Sequence, residues 1–576
     1  MKRSTRLFGV LVSMVVLASC SAGEASRAAS GSPSAPGTGG APSATPLPSS
    51  AGIEVGPMLA NMSLEDKVGQ LFMPVVYGSR ADTVSGENNA RYGVPTFRKL
   101  IEKYRVGGVI YFPWAGNVES PEQVARLSND LQRISKIPLL IGADQENGIV
   151  SRLEAITTRI PGAMAIGASR SPELAREVAR VTGAELAAVG VNLDFAPVAD
   201  VNVDPRNPVI GSRSFSSDPK LAARLTGASV EGFHEAGIAS SAKHFPGHGD
   251  TYTDSHTGLP VITHSMAEWE RIDAPPFKAA IERGVDAVMS AHIVMPKLDS
   301  SGEPATLSPR ILTGLLREKL GFKGVVITDA LNMDGVRKKY DDAEVAVRSV
   351  LAGADLLLMS PNLPAAYDGV LKAVKAGRIS RDRLDLSVER LLTLKRDRGL
   401  FDTGETDAGR AGSILRSAAH REVAQRAADA SVTVVKRGGL PVKRGDRVLV
   451  AGVVTADLAK ELTELGAKVT EVQTGDSPSG SVIGTAAARA KGSDAVVVTT
   501  RNANPAQVAL VGRLAKSGAP VVVVSVGEPY DLGRLRGADT TIALYSDSPP
   551  SLRAAAKAIM GRLKPTGKLP VAEPRR

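Results

Sequence analysis

The sequence predicts an α/β protein: a (β/α)8 TIM barrel followed by a smaller open α/β sandwich domain. Three observations carry that expectation. Short apolar runs alternate with amphipathic segments in a regular beat, and the first set of runs numbers eight. A Gly-, Asp-, Thr- and Arg-rich break at 399–412 then separates it from a second, shorter set. The full 576 residues are long enough for one large barrel and a further domain.

Taken in order, the chain begins with a basic segment, Lys2, Arg3 and Arg6, and an apolar stretch at 7–17 too short to span a bilayer comfortably. That is the pattern of a secretory signal. Leu17-Ala18-Ser19-Cys20 resembles a bacterial lipobox. The likeness implies cleavage before Cys20 and a diacylglyceryl group on its sulfur, and two acyl chains hold a protein to a membrane stably where one does not. An ordinary signal peptide with an incidental cysteine is the alternative. Cys20 is the one cysteine in the sequence, so an intramolecular disulfide and a multi-cysteine metal site are both excluded. Residues 21–52 are Ala, Ser, Gly, Pro and Thr with almost no large apolar side chain, and such a segment cannot offset its own ordering entropy. The expected organisation is a lipoprotein signal peptide at 1–20, a disordered tether at 21–52, the barrel at 53–400, and a C-terminal α/β domain with its linker at 401–576. The expected location is the cell surface, lipid-anchored to the outer face of the bacterial plasma membrane.

Candidate barrel strands fall at 70–75, 108–112, 139–143, 192–196, 239–243, 287–291, 324–328 and 355–359. Amphipathic segments at 121–134, 172–189, 220–235 and 267–283 lie between them, and another at 364–376 follows the last. Eight parallel strands with intervening helices close most economically into a barrel. A doubly wound sheet built from the same elements is the competing arrangement. After a helical stretch at 418–430 the second set of strands falls at 431–435, 447–450, 468–471, 494–499, 521–526 and 540–544. With no G-x-G-x-x-G turn and no Walker sequence there, a nucleotide role has no support.

Composition narrows the function classes. Hydrophobic residues at 43% and charged residues at 23% exclude wholesale disorder and a polytopic membrane protein. The net charge of +10 includes three positive residues in the first six positions, and no Arg/Lys block has interleaved aromatics, so nucleic acid is not an expected partner.

Three of the seven histidines fall within Lys243-His244-Phe245-Pro246-Gly247-His248-Gly249-Asp250 and the following Thr251-Tyr252-Thr253-Asp254-Ser255-His256. The stretch follows directly on the fifth strand, and barrel active sites are built at the carboxyl ends of strands. Pro246, Gly247 and Gly249 forbid a regular helix, so His244 and His248 do not share a helical face. Carboxylates stand at other strand ends: Asp144 with Glu146 after the third, Asp200 after the fourth, Asp329 after the seventh. Any one alone reads as a helix N-cap or a loop-capping residue. Their joint placement around one barrel mouth points to a site.

The Lys243-to-Gly249 run, with Asp254-Ser255-His256 after it, resembles the signature of glycoside hydrolase family 3 β-N-acetylglucosaminidases. Asp144-Gln145-Glu146, Phe195-Ala196-Pro197-Val198-Ala199-Asp200-Val201, Arg213-Ser214-Phe215, Ser290-Ala291-His292 and Thr328-Asp329-Ala330-Leu331 support it, over roughly 55–398. The second domain, with Gly567-Lys568-Leu569-Pro570 near its end, resembles the C-terminal domain of two-domain members. The resemblance implies a retaining mechanism through a covalent glycosyl-enzyme on Asp329, with an Asp254–His256 dyad as acid/base in place of a second carboxylic acid. It further implies that Asp144, Arg152, Arg213, Lys243 and His244 hold the sugar, with His248 bracing the loop, and it calls for no cofactor or metal. The chain departs from the common Asp-Gln-Glu-Gly-Gly-Arg pattern at Asn147 and Ile149, for which altered loop packing is the expected consequence.

The expected substrate is a terminal β-GlcNAc glycan, with muropeptides first and chitin oligomers second. Low aromatic content, with Trp114 and Trp269 the only tryptophans, offers no obvious stacking platform for a long polymer and favours a pocket acting on chain ends. Three other readings stand beside this one. They are a metal-dependent hydrolase using His244, His248, Asp250 and His256, a non-catalytic wall-binding lipoprotein, and a β-glucosidase or broad β-hexosaminidase of the same family.

Overall fold

The computed structural model describes residues 53–254 and 258–572. Cys20, the signal segment, the tether and His256 lie outside the described residues. Among those described, no helix is long and apolar enough to cross a membrane.

The first domain is a closed parallel barrel. In chain order its strands are β1 (Phe72–Met73), β2 (Gly108–Ile110) and β3 (Leu140–Ala143), then a hairpin of β4 (Gln145–Asn147) and β5 (Val150–Ser151). After it come β6 (Leu193–Asp194), β7 (Ala239–Phe245), β8 (Ala287–Ser290), β9 (Val325–Ile327) and β10 (Leu357–Leu358). Parallel pairing runs β2-β3-β6-β7-β8-β9, and β1 pairs with β10. Bridges Val75–Ile110 and Ile327–Leu356 join the two sets into one ring of eight strands. The ring, rather than a doubly wound sheet, is what the alternation at every predicted strand position builds. Its strands are buried on both faces and mostly apolar because helices cover the outside and side chains fill the inside.

Two local departures from the sequence pattern have clear causes. The amphipathic segment at 267–283 divides into helices Met266–Ile272 and Ala274–Glu282. Pro275 and Pro276 have no N–H to continue the ladder, and they are accommodated in the first turn of the second helix. The hairpin β4–β5 was not anticipated. It turns through Gly148 and Ile149, with Gly148 at φ 65° and its Cα packed so closely on Gly162 that a Cβ would fall 2.8 Å from it. Asn147 also sits at φ 65°, a conformation that asparagine tolerates better than most side chains, and its amide donates to Thr182 Oγ1 at 3.0 Å. Ile149 is exposed at the tip.

The second domain is a six-stranded sheet of β11 (Thr433–Lys436), β12 (Arg447–Gly452), β13 (Lys468–Gln473), β14 (Ala495–Thr500), β15 (Val521–Ser525) and β16 (Thr540–Ala543). Its order is β11-β16-β15-β14-β12-β13, parallel except for β11. Alternate residues face opposite layers, as the strand period requires. Val448 and Val450 pack under Leu458, Leu462 and Leu552 on one side, while Leu449 and Ala451 meet Ala486, Leu510 and Leu514 on the other. The two domains share apolar cores: Met164, Ala165 and Ala168 of helix Ala163–Ser169 join the sheet's second layer. Val423, Ala424 and Ala427 of helix Ala418–Ser431 pack with Leu174, Val178 and Phe215.

Candidate active site

The carboxyl ends of β3 and β7 bring a compact group of charges together. Lys243, buried near the end of β7, donates from Nζ to Asp144 Oδ1 at 2.7 Å and lies 2.6 Å from Glu146 Oε1. Arg213 closes the same group with a two-point fork on Glu146, Nε to Oε2 and Nη2 to Oε1, both 2.8 Å. Burial pushes the Glu146 carboxyl up, but Arg213 and Lys243 outweigh it and hold it well below the usual carboxylate range. Burial likewise opposes the Lys243 charge, and Asp144 and Glu146 overcome it, so its pKa is raised. Each charge is tolerated because the others are there.

Asp200, following β6, organises the next two histidines. It is buried and accepts from the backbone N–H of His244 and His248, and from His244 Nδ1 at 2.7 Å. Arg213 Nη2 lies 3.3 Å from His244 Nε2. Burial, with His244 beside it, pushes His248 down to about 4. The loop beyond is fixed from outside. Trp269 Nε1 donates to the Pro246 carbonyl at 2.8 Å, and His264 spans Asp250 (2.9 Å) and Asp273 (2.7 Å). Those two carboxylates raise His264 to about 10.

Asp329 stands at the carboxyl end of β9, partly exposed, with Oδ1 accepting from the Ala330 N–H at 2.7 Å. Burial pushes its carboxyl up, and His292, His244, that N–H and Lys243 together outweigh it, so the group is held below the usual carboxylate range. His292 is itself fixed between Thr306 Oγ1 (2.8 Å) and the Ala330 carbonyl (3.0 Å).

Asp329 opens on a cavity of about 420 Å³, a size suited to a small polar ligand. Charged and titratable side chains line it, namely Asp144, Glu146, Arg152, Arg213, Lys243 and His244. So do the apolar and polarizable Phe112, Trp114, Met289, Met333, Leu358 and Met359. Arg152 Nε has no hydrogen-bond partner among the described residues, and its guanidinium lies over the Phe112 ring. Trp114 is 59% exposed, stacked on Phe112 with centroids 4.8 Å apart. Trp114 thus puts one aromatic face on the cavity lining.

Of the residues singled out from sequence, Asp144, Arg152, Arg213, Lys243, His244 and Asp329 thus line one cavity. His248 lines it too, while its backbone braces the loop through Asp200 and Asn207. Asp254 lies on the loop beyond His248, its carbonyl accepting from the Gly258 N–H, and is not among the described residues lining the cavity. Sequence reasoning gave no role to Glu146 as the shared partner of Lys243 and Arg213, nor to the Met and aromatic lining. The Asn147-Gly148 pair was a hairpin signal in plain sight and would have placed Asp144, Glu146 and Arg152 on one turn. Among the described residues no group of three or more His, Cys, Asp or Glu side chains has the geometry to hold a metal ion.

Comparison with known proteins agrees with this geometry. Residues 63–394 match the family described as Glycosyl hydrolase family 3 N terminal domain, and the chain belongs to that family. It is 36% identical over 385 residues to β-hexosaminidase A of Pseudoalteromonas piscicida, covering 62% of this chain and 64% of that protein's length. It is 30% identical over 553 residues to the β-N-acetylglucosaminidase/β-glucosidase of Cellulomonas fimi, covering 89% and 94%. Among solved structures, a glycoside hydrolase family 3 β-N-acetylglucosaminidase from Paenibacillus sp. str. FPU-7 superposes with a TM-score of 0.82 at 39% identity, over 89% of this chain and 100% of that one.

Proposed function

We propose that this protein is a retaining exo-β-N-acetylglucosaminidase that removes terminal GlcNAc from peptidoglycan-derived fragments. The observation that carries the reading is Asp329, a carboxylate kept ionised by its neighbours and facing a cavity lined by both charged and apolar side chains. A hexosamine presents the same two chemistries, hydroxyls on its rim and an acetamido methyl at C2. Asp144, Lys243, His244, Arg152 and Arg213 suit the hydroxyls, and Met289, Met333, Met359 and the Phe112–Trp114 stack suit the methyl. The names of the Pseudoalteromonas, Cellulomonas and Paenibacillus relatives support the same substrate class.

In this mechanism the Asp329 carboxylate attacks the anomeric carbon as the bond to the aglycone oxygen breaks, and His256, oriented by Asp254, gives that oxygen its proton. The imidazole, now neutral, takes a proton from water. The hydroxide so formed displaces Asp329 from the anomeric carbon, and the released sugar keeps the β configuration. The neighbours that lower the Asp329 pKa also make it a good leaving group in that second step. A cavity of about 420 Å³ is of a size to take a single sugar, which supports release from chain ends. The signal segment and Cys20 complete the proposal by placing the enzyme on the outer face of the plasma membrane, beside the wall.

Incubation of the purified protein with GlcNAc–MurNAc muropeptides and with chitobiose, following free GlcNAc and its initial anomer by NMR, tests the reading. Release of β-GlcNAc first is expected, faster from the muropeptides. An initial α product would contradict retention. The double name of the Cellulomonas relative supports a second reading, a broad enzyme that also cleaves glucosides. Equal kcat/KM on nitrophenyl glucoside and nitrophenyl GlcNAc would favour it.

A further inference from the structure

Arg213 reaches the cavity from a loop whose support comes from the other domain. The loop runs from Asp200 through the short 3-10 turn Gly211–Arg213 to Ser217. Near its start, Asn202 Nδ2 donates to Tyr530 Oη at 2.9 Å. Near its end, Ser216 Oγ and the Ser217 N–H both donate to the Pro570 carbonyl. Between them the Ser212 N–H donates to Glu528 Oε1 at 3.1 Å. Gly211 sits at φ 45°, and a Cβ there would fall 1.7 Å from the same carboxylate oxygen, so the Glu528 side chain lies directly against the turn. Glu528 is braced in turn: its N–H donates to Asn502 Oδ1 at 2.8 Å and its carbonyl accepts from Ser525 Oγ at 3.3 Å. All of these partners, from Asn502 to Pro570, belong to the second domain, yet Arg213 adjoins Ser212 and places its guanidinium on Glu146 and His244.

We propose that the second domain takes part in substrate binding at one remove, with Glu528 as the positioning residue for Arg213 and with Tyr530 and Pro570 holding the two arms of the same loop. Glu528 does not line the cavity of Asp329, so its effect on substrate passes through the turn. A partly buried hydrogen bond to a carboxylate is strong enough to set a turn's position, and a misplacement of about 1 Å at a sugar-binding group weakens binding sharply. The inference rests on the proposed role of Arg213 in holding the sugar.

The test is a double-mutant cycle on nitrophenyl GlcNAc with Glu528→Ala, Glu528→Gln and Arg213→Met, each checked for its folded state by circular dichroism. Glu528→Ala is expected to raise KM about tenfold with kcat little changed. Glu528→Gln keeps an oxygen for the Ser212 N–H and is expected to stay within about twofold of the parent. In an Arg213→Met background, Glu528→Ala should add less than about twofold, because the group it positions is gone. An unchanged KM in folded Glu528→Ala, or losses that multiply in the double variant, would overturn the inference. Should Glu528→Ala fail to fold, Glu528→Asp withdraws the carboxylate by one methylene: a smaller rise in KM supports the proposal and an unchanged KM overturns it. Arg213→Met without effect on KM would strike the reading of Arg213 itself. A raised KM there with flat Glu528 variants would strike this inference alone.

Discussion

Glu146 illustrates what a residue can and cannot disclose before folding. The sequence marked it as a carboxylate at a strand end, beside Asp144, but its partners Lys243 and Arg213 are far away along the chain and meet it only through barrel closure. The resemblance likewise named Arg213 and Lys243 without saying what holds them. Glu146 is buried between two cations, so Glu146→Gln removes their neutralising charge while nearly preserving volume. Breaking a buried ion pair in this way costs roughly 3–5 kcal/mol, and the loss should appear in denaturant unfolding together with a raised KM. Stability within about 0.5 kcal/mol of the parent would show that solvent already screens the group. Trp114 makes the complementary point. Composition counted it as one of two tryptophans, and its place on the cavity wall depends on stacking with Phe112, which no count reveals.

At the scale of elements, the strands were legible because they are short, mostly apolar and evenly spaced, and all eight barrel positions carry one. The helix break at Asp273 follows from Pro275 and Pro276, while the His264 contact to the Asp273 carboxylate was not legible. Helix Arg381–Asp397 holds another feature invisible to periodicity: Lys395 is wholly buried, with Nζ donating to Gln70 Oε1 at 2.6 Å. Burial pushes this amine down to about 7 from an ordinary 10.5. Between those values the unfolded chain binds a proton that the folded one does not, so this group makes stability rise with pH across the window. Lys395→Met removes the titration. The stability gap between parent and variant is expected to shift in the parent's favour as pH rises from about 7 toward 10.5, and to stay constant below about 7. Paired urea melts across this range measure it. A gap that does not change with pH would contradict the burial argument.

For the whole molecule, the second sheet was readable from its own set of strands, while its dependence on the barrel was not. Residues 164–168 complete a core in the second domain, and residues 423–427 complete one against the barrel's helices. Arg416 strengthens the join by donating to the Thr157 carbonyl at 2.8 Å, with its N–H on Glu185. Cores shared in this way unfold together, so calorimetry is expected to give one transition whose van't Hoff and calorimetric enthalpies agree. Two resolved transitions would show that the domains are independent. The same result bears on the role of Glu528, because a second domain that positions Arg213 must stay docked under assay conditions.

The account turns on Asp329 as the nucleophile, and trapping the glycosyl-enzyme tests it most directly. A fluorinated GlcNAc analogue with an activated leaving group slows turnover of the covalent intermediate enough for peptide mass spectrometry to locate the sugar. The expected result is a single labelled peptide carrying the sugar on Asp329, and no label on Asp329→Asn. A sugar attached to any other carboxylate, or a fully active Asp329→Asn, would contradict the account.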